Sequence, residues 1–375
     1  MTKRLPLLLL VPVLVLAADD PVAARLDAVF APLAQGSVPG LAVLVRQDGR
    51  TLFQRGYGVT DLRSATPIEA ATNFRLASFT KQFTAMSVML LVKDGKLRYD
   101  DPLTKVFPDF PAYGKTITIR HLLTHTSGLP DYEDVMEAGA QRWTPQDQIR
   151  DEEVLKLLKA QTKPRFAAGT SWSYSNSGYV VLGLVVAKVS GMPFGEFLQQ
   201  RIFKPLHMDQ TLAYVAGRNN VVHRAYGHAK QKDVFVERDQ SSTSATLGDG
   251  GIYSNLSDLA KWDDALSRNT LLGASAMKEA LTPAKLSDGS PTRWPAQKNE
   301  DNLNPGKPVS YGFGWFLDPY KDQPRTWHTG STTGFRTVIQ RFHQHKLTVI
   351  VLCNRTDLDA AQLSLQAADT VLGAH

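Results

Sequence analysis

A single cysteine, Cys353, rules out an internal disulfide, so this 375-residue chain must hold together through its core. Cys353 ends the apolar run 347–353 and reads as a core residue, with no surrounding motif that marks a nucleophile. Long hydrophobic runs are scarce as well. One stands near the start, at 7–16, and no later run reaches membrane-spanning length. Lys and Arg exceed Asp and Glu by 42 − 36 = +6, without a dense basic stripe interleaved with aromatics, which argues against nucleic acid as a partner. No Gly-x-Ser-x-Gly elbow occurs: Gly169-Thr170-Ser171 and Gly273-Ala274-Ser275 both lack the closing glycine. A phosphate-cradling Gly-x-x-x-x-Gly-Lys is missing too.

What is present begins with an address. Lys3 and Arg4 precede the apolar run 7–16, and Ala17-Ala18 and Asp19-Asp20 follow it. That order predicts a secretory signal peptide over 1–18, cleaved near Ala17 or Ala18, with an uncleaved anchor as the alternative. No cysteine near the cleavage point favours a lipoprotein. Cleavage would leave a charge of 40 − 36 = +4 and a periplasmic or secreted protein.

The remainder, 19–375, is expected to be one unit. Residues 22–33 read as an amphipathic helix, and 40–45 and 51–57 as strands of a hairpin through Asp48-Gly49. Helices are expected over 79–92, 151–160, 177–189 and from Asn255 through Leu266. Residues 285–310 are polar and hold four prolines, as an active-site border or a mobile insertion would. The tail returns to strands at 311–317, 326–329, 335–342 and 346–353, then a helix over 359–372. Strands at both ends with helices between predict an α+β fold. A largely antiparallel sheet from 19–77 and 308–375 would carry a mainly helical inserted lobe, 78–307, with a cleft at the junction.

Ser78-Phe79-Thr80-Lys81 opens a helix that is apolar nearly all round, with Phe79, Phe83, Met86 and Leu90 at helical spacing. A lysine three residues after a serine shares its face. Burying that ammonium is costly unless it is paired or loses its proton, and a deprotonated lysine can activate the hydroxyl for acyl transfer. The plainer alternative is a capping serine beside a snorkelling lysine. His121 and His125 stand four apart as zinc ligands can, yet Leu122 replaces the glutamate of the catalytic zinc motif and no third ligand stands out. Packing or capping is the expected role of both.

Ser78 and Lys81, the Tyr174-Ser175-Asn176 turn, and His328-Thr329-Gly330 together resemble the penicillin-recognising serine hydrolases. The likeness is to the branch holding Tyr-x-Asn serine β-lactamases, D-alanyl-D-alanine carboxypeptidases and related esterases. Residues 121–130, 169–191 and 248–262 resemble that branch as well. The resemblance implies a β-lactamase-like fold, no cofactor or metal, and a small-molecule or peptide substrate. It implies Ser78 as nucleophile, Lys81 as its proton-sharing neighbour and Tyr174 as general base and then general acid. It also implies that Asn176 orients Lys81 and touches substrate, and that the N–H groups of Ser78 and Ser331 form an oxyanion hole, where losing one donor costs ~3–4 kcal/mol. His328, Thr329 and Gly330 would bind substrate, Gly330 by keeping the strand edge clear. Histidine stands where several β-lactamases carry lysine, and it offers a weaker anchor for a carboxylate. No arginine partner for that carboxylate is evident. The reading is thus a hydrolase acting on an amide or β-lactam, with a carboxylesterase, or a penicillin-binding sensor without turnover, as alternatives.

Overall fold

The structure is a computed structural model and describes residues 21–296 and 304–373. The expected signal peptide lies outside the described residues, as does part of the proline-punctuated loop. Ten strands occur among them, in chain order: β1 Leu41–Gln47, β2 Arg50–Tyr57, β3 Phe74–Arg75, β4 Leu212–Ala213, β5 His228–Gln231, β6 Val234–Glu237, β7 Ile252–Ser254, β8 Arg325–Thr332, β9 Phe335–Phe342 and β10 Leu347–Cys353. Both chain ends build one five-stranded sheet in the order β2-β1-β10-β9-β8, with every neighbouring pair antiparallel.

The β1–β2 turn is made by Asp48 and Gly49, both at positive φ (51° and 75°), which matches the right-handed twist of the flanking strands. β1 is buried along almost its whole length because each face meets a different core. Leu41, Val43 and Val45 pack with Leu26, Phe30 and Leu363 from the two terminal helices, Pro21–Phe30 and Ala360–Leu372. Ala42 and Leu44 join Phe79, Phe83 and the helical segment on the other face.

That helical segment is organised on the Lys81–Lys93 helix, buried from Lys81 to Leu91. The helix Asn176–Ser190 is started by the Ser175 side chain, which accepts from Gly178 N, and stopped by Gly191 at φ +74°. The small sheet β3-β7-β4 ties the strand before Ser78 to the glycine-rich turn at 247–251.

One expected strand fails and one hairpin had not been expected. Residues 311–317 are not a strand but a tight reversal: Gly314 sits at φ +79°, and Tyr311 bridges back to Phe316. Gly314 packs against the backbone of Lys81 and Gln82, an approach that leaves no room for a Cβ. The hairpin β5–β6 went unread because its alternation is weak and its strands are short and largely exposed. The expected 326–329 strand runs longer, as β8.

Candidate active site

Ser78 does not sit on the α-helix with Lys81. It lies in a 3₁₀ turn, Ala77–Thr80, that feeds the helix. Three residues per turn stack position i over i+3, which is why the two side chains meet directly. Ala77, just before, is held at φ +49°, a left-handed backbone that a non-glycine residue seldom adopts. Ser78 itself is half-buried.

Lys81 is 0 % exposed. Its Nζ donates to Ser78 Oγ (3.0 Å), Asn176 Oδ1 (2.8 Å) and the Asp249 carbonyl (3.0 Å). It lies 4.9 Å from the centroid of the Tyr174 ring and 5.5 Å from that of Tyr179. Oxygen acceptors and ring faces together offset the desolvation of the amine. The carbonyl was invisible beforehand, because a backbone group leaves no trace in residue type. Only the glycine-rich run at 247–251 hinted that the main chain approaches something closely. Gly248 does: a Cβ there would strike the Tyr179 carbonyl.

Asn176 opens its helix and Tyr174 stands two residues before it, half-buried. The Tyr174 ring is held by His125, 4.4 Å away between centroids, and lies parallel to Phe316 at 6.5 Å. His125 is buried at φ +60° and accepts from Ser175 N through Nδ1 at 3.1 Å. Burial first, then the charge of Lys81, push its pKa well below the ordinary value, so it is a neutral platform under the phenol. His121 closes a capping box, its Nδ1 accepting from Thr118 N. Packing and capping thus occupy both histidines.

β8 forms one edge of the sheet. Trp327 exchanges both of its backbone hydrogen bonds with Phe316 on the side away from β9. By the strand's two-residue period, Thr329 and Ser331 turn their N–H and C=O groups toward that same open edge. Their side chains share the face of Trp327, opposite His328 and Gly330.

His328 departs from expectation. It is 1 % exposed, its Nδ1 donates to the Thr329 carbonyl (2.6 Å), and its Nε2 lies 3.0 Å from the Tyr311 hydroxyl. A carbonyl only accepts, so Nδ1 carries the proton and Nε2 accepts from Tyr311. Burial first and the Lys81 charge second push its pKa down to about 3. Both ring nitrogens are engaged within the protein, so His328 braces Tyr311 and offers no charge to a substrate. Gly330 has a second constraint, within the protein. Its missing Cβ leaves room for the Leu76 carbonyl and Thr337 Oγ1, so it lets β8 press on the turn that carries Ser78.

One arginine on the neighbouring strand, Arg336, stands near this end of β8. In the β8–β9 ladder it stands directly across from Ser331, and on a strand pair directly opposed residues share a face. Its Nη1 donates to the Thr332 and Phe335 carbonyls (2.8 Å each), and no carboxylate partner occurs among the described residues. Only the ladder register reveals it, since it lies eight residues beyond His328.

Around these groups stand Trp172, Trp294, Phe316 and Trp327. Phe316 stacks on Trp327 (4.6 Å) and Trp294 (6.0 Å), and Trp294 meets Trp172 edge-on (4.9 Å). The long 285–310 segment therefore borders the site at Trp294.

A family model described as Beta-lactamase matches residues 26–372. Penicillin-binding protein 4* of Bacillus subtilis (strain 168) is 30% identical over 344 residues, covering 88% of this chain and 71% of that protein. Among solved structures, the octameric penicillin-binding protein homologue from Pyrococcus abyssi is similar with a TM-score of 0.70 and 27% identity, over 90% of this chain and 74% of that one. The D-amino acid amidase from Ochrobactrum anthropi SV3 is similar with a TM-score of 0.71 and 25% identity, over 94% and 100%.

Proposed function

The chain belongs to the beta-lactamase family and is a serine hydrolase of that fold, and from this premise we propose that it is exported and cleaves an amide or β-lactam through an acyl-enzyme on Ser78. Ser78 Oγ bonds to the substrate carbonyl carbon as its proton passes to the Tyr174 oxygen. Tyr174 takes that proton as a phenolate, whose negative charge before the transfer is favoured by the Lys81 cation beside its ring. The N–H groups of Ser78 and Ser331 hold the oxyanion. The C–N bond then breaks, Tyr174 returns the proton to the leaving nitrogen, and water releases the acyl group by the reverse sequence. Asn176 fixes Lys81 and meets the acyl side, while the open edge of β8 takes the substrate backbone at Thr329. Residues 19–375 work as one catalytic unit, with the cleft between the sheet and the helical segment.

The observation that supports this reading most is the bridge of Lys81 Nζ between Ser78 Oγ and Asn176 Oδ1 beneath the Tyr174 ring. The penicillin-binding name of the Bacillus subtilis relative favours substrates bearing a carboxylate. With His328 neutral, we assign that carboxylate to Arg336, across the ladder from Ser331. The leader at 1–18 supports export, and no single described helix is long and apolar enough to cross a membrane. A carboxylesterase reading draws support from the same neutral His328, because an ester needs no cation at that position.

Intact-mass spectrometry over time, with a penicillin, a D-Ala-D-Ala peptide and a p-nitrophenyl ester, tests the proposal. We expect a penicilloyl adduct that forms on Ser78 and decays, or amide product from the peptide. Ester turnover alone makes the protein an esterase, and a stable adduct without product makes it a sensor. Failure of every probe to label Ser78 overturns the proposal.

A further inference from the structure

A second hollow, about 630 Å³, lies behind the wall that holds Tyr174, and neither Ser78, Lys81 nor Tyr174 lines it. That volume falls within the ~300–1,000 Å³ of small-molecule sites. Its walls come from the helix Ile119–Leu123, the helix Ala274–Ala280 and the segment 282–287, with the largely buried Phe313 at its floor. It shares a partition with the catalytic site: Thr124 and Thr126 face the hollow, while His125 between them stacks on Tyr174.

Hydrogen-bond bookkeeping identifies what such a hollow recognises. The Thr124 hydroxyl donates to the Arg120 carbonyl (2.8 Å), so in its 3.0 Å contact with Thr126 it accepts and the Thr126 proton is spent on it. Both threonines therefore face the hollow as acceptors. His121 accepts at Nδ1, and burial pushes its pKa down, so its proton rests on Nε2, near Gly169 and Ser287. The hydroxyls of Ser275 and Ser287 add two further donors. Charge points the same way. Arg120 is paired with Glu279 (2.9 Å) and, more loosely, Asp100 (3.6 Å). Lys278 and Lys285 have no carboxylate partner among the described residues, which leaves the lining with an excess of two positive charges.

We propose that this hollow is a binding site, separate from the catalytic one, for a small hydroxyl-bearing oxyanion, a sugar acid or a sugar phosphate. The two lysines, the serines and His121 donate to the anionic oxygens, and Thr124, Thr126 and Glu279 accept from ligand hydroxyls.

Calorimetric titration of the full chain with glucuronate, glucose 6-phosphate and glucose tests it. At least one anionic probe should bind saturably and more tightly than neutral glucose by about tenfold or more, roughly 1.4 kcal/mol. Tighter glucuronate identifies a carboxylate source, and tighter glucose 6-phosphate a phosphate source. Ser78→Ala should bind the preferred probe equally well, whereas the double variant Lys278→Gln/Lys285→Gln should lose at least about tenfold while its acylation rate at Ser78 is unchanged. Equal affinity for glucose and both anions, no saturable binding by either anion, binding lost with Ser78→Ala, or affinity unmoved by the double variant would overturn the proposal.

Discussion

Lys81 and His328 are basic side chains buried equally well beside the same tyrosine, at 0 % and 1 % exposure, and they meet burial in opposite ways. Lys81 turns its N–H groups on three oxygens from three separate segments of chain. His328 gives one proton to a carbonyl, takes one from Tyr311, and is held neutral with its pKa pushed down to about 3. An ammonium can only donate, so its pocket must be built of acceptors. An imidazole can donate at one nitrogen and accept at the other, so a pocket with one of each selects its uncharged form. The lesson is that a basic residue in a site motif becomes a charge only if its neighbours are acceptors. At the His328 corner they are not, which is why we assign a substrate carboxylate to Arg336, one strand over.

The contrast is broken most severely at the phenol between the two corners. Tyr174→Phe keeps the ring stacked on His125 but removes the proton carrier, and should slow acylation ~10²–10⁴-fold in stopped-flow or labelling assays. An unchanged rate would remove Tyr174 from the mechanism. Next, Arg336→Ala should raise KM about ten- to a hundredfold for substrates bearing a carboxylate, the worth of a charge-assisted hydrogen bond, and leave a simple p-nitrophenyl ester unaffected. Equal effects on both would show that Arg336 is only structural. The smallest effect is one of stability. His328 titrates near 3 when folded and near 6.5 when unfolded, so between those values the unfolded chain binds the extra proton and stability falls as the pH falls. From pH 6.5 to 5 this contributes a loss of at most about 2 kcal/mol. His328→Gln should flatten the urea midpoint over that interval relative to the parent protein, and an identical slope would place the charge back on His328.

Much of this architecture was legible before the fold was known, and the reasons are local. Gly191 and Asn255 mark helix ends because a cap or a positive φ demands those residue types, whereas the Ser175 cap was not read. Asp48-Gly49 marked the hairpin for the same reason. The Ser78–Lys81 contact was legible as a three-residue spacing, although the helix type that produces it was not. Three features stayed hidden because each depends on residues far apart in the chain. The Asp249 carbonyl on Lys81 is a backbone group, 168 residues away. Arg336 acquires its position from ladder register alone. Gly330 was read only as a clearing for substrate, and its service to the close approach of β8 to Leu76 is a contact across more than 250 residues.

The account rests on the Lys81 amine making the Ser78 hydroxyl reactive, and Lys81→Met tests that most directly. Methionine fills the buried space without a charge, so the melting temperature should be kept or raised, since apolar replacement of a buried ion is often neutral or stabilising. The rate of covalent labelling at Ser78 by a fluorescent penicillin or an activated ester should fall by about 10²-fold or more. A folded Lys81→Met protein that acylates at the parent rate would contradict it.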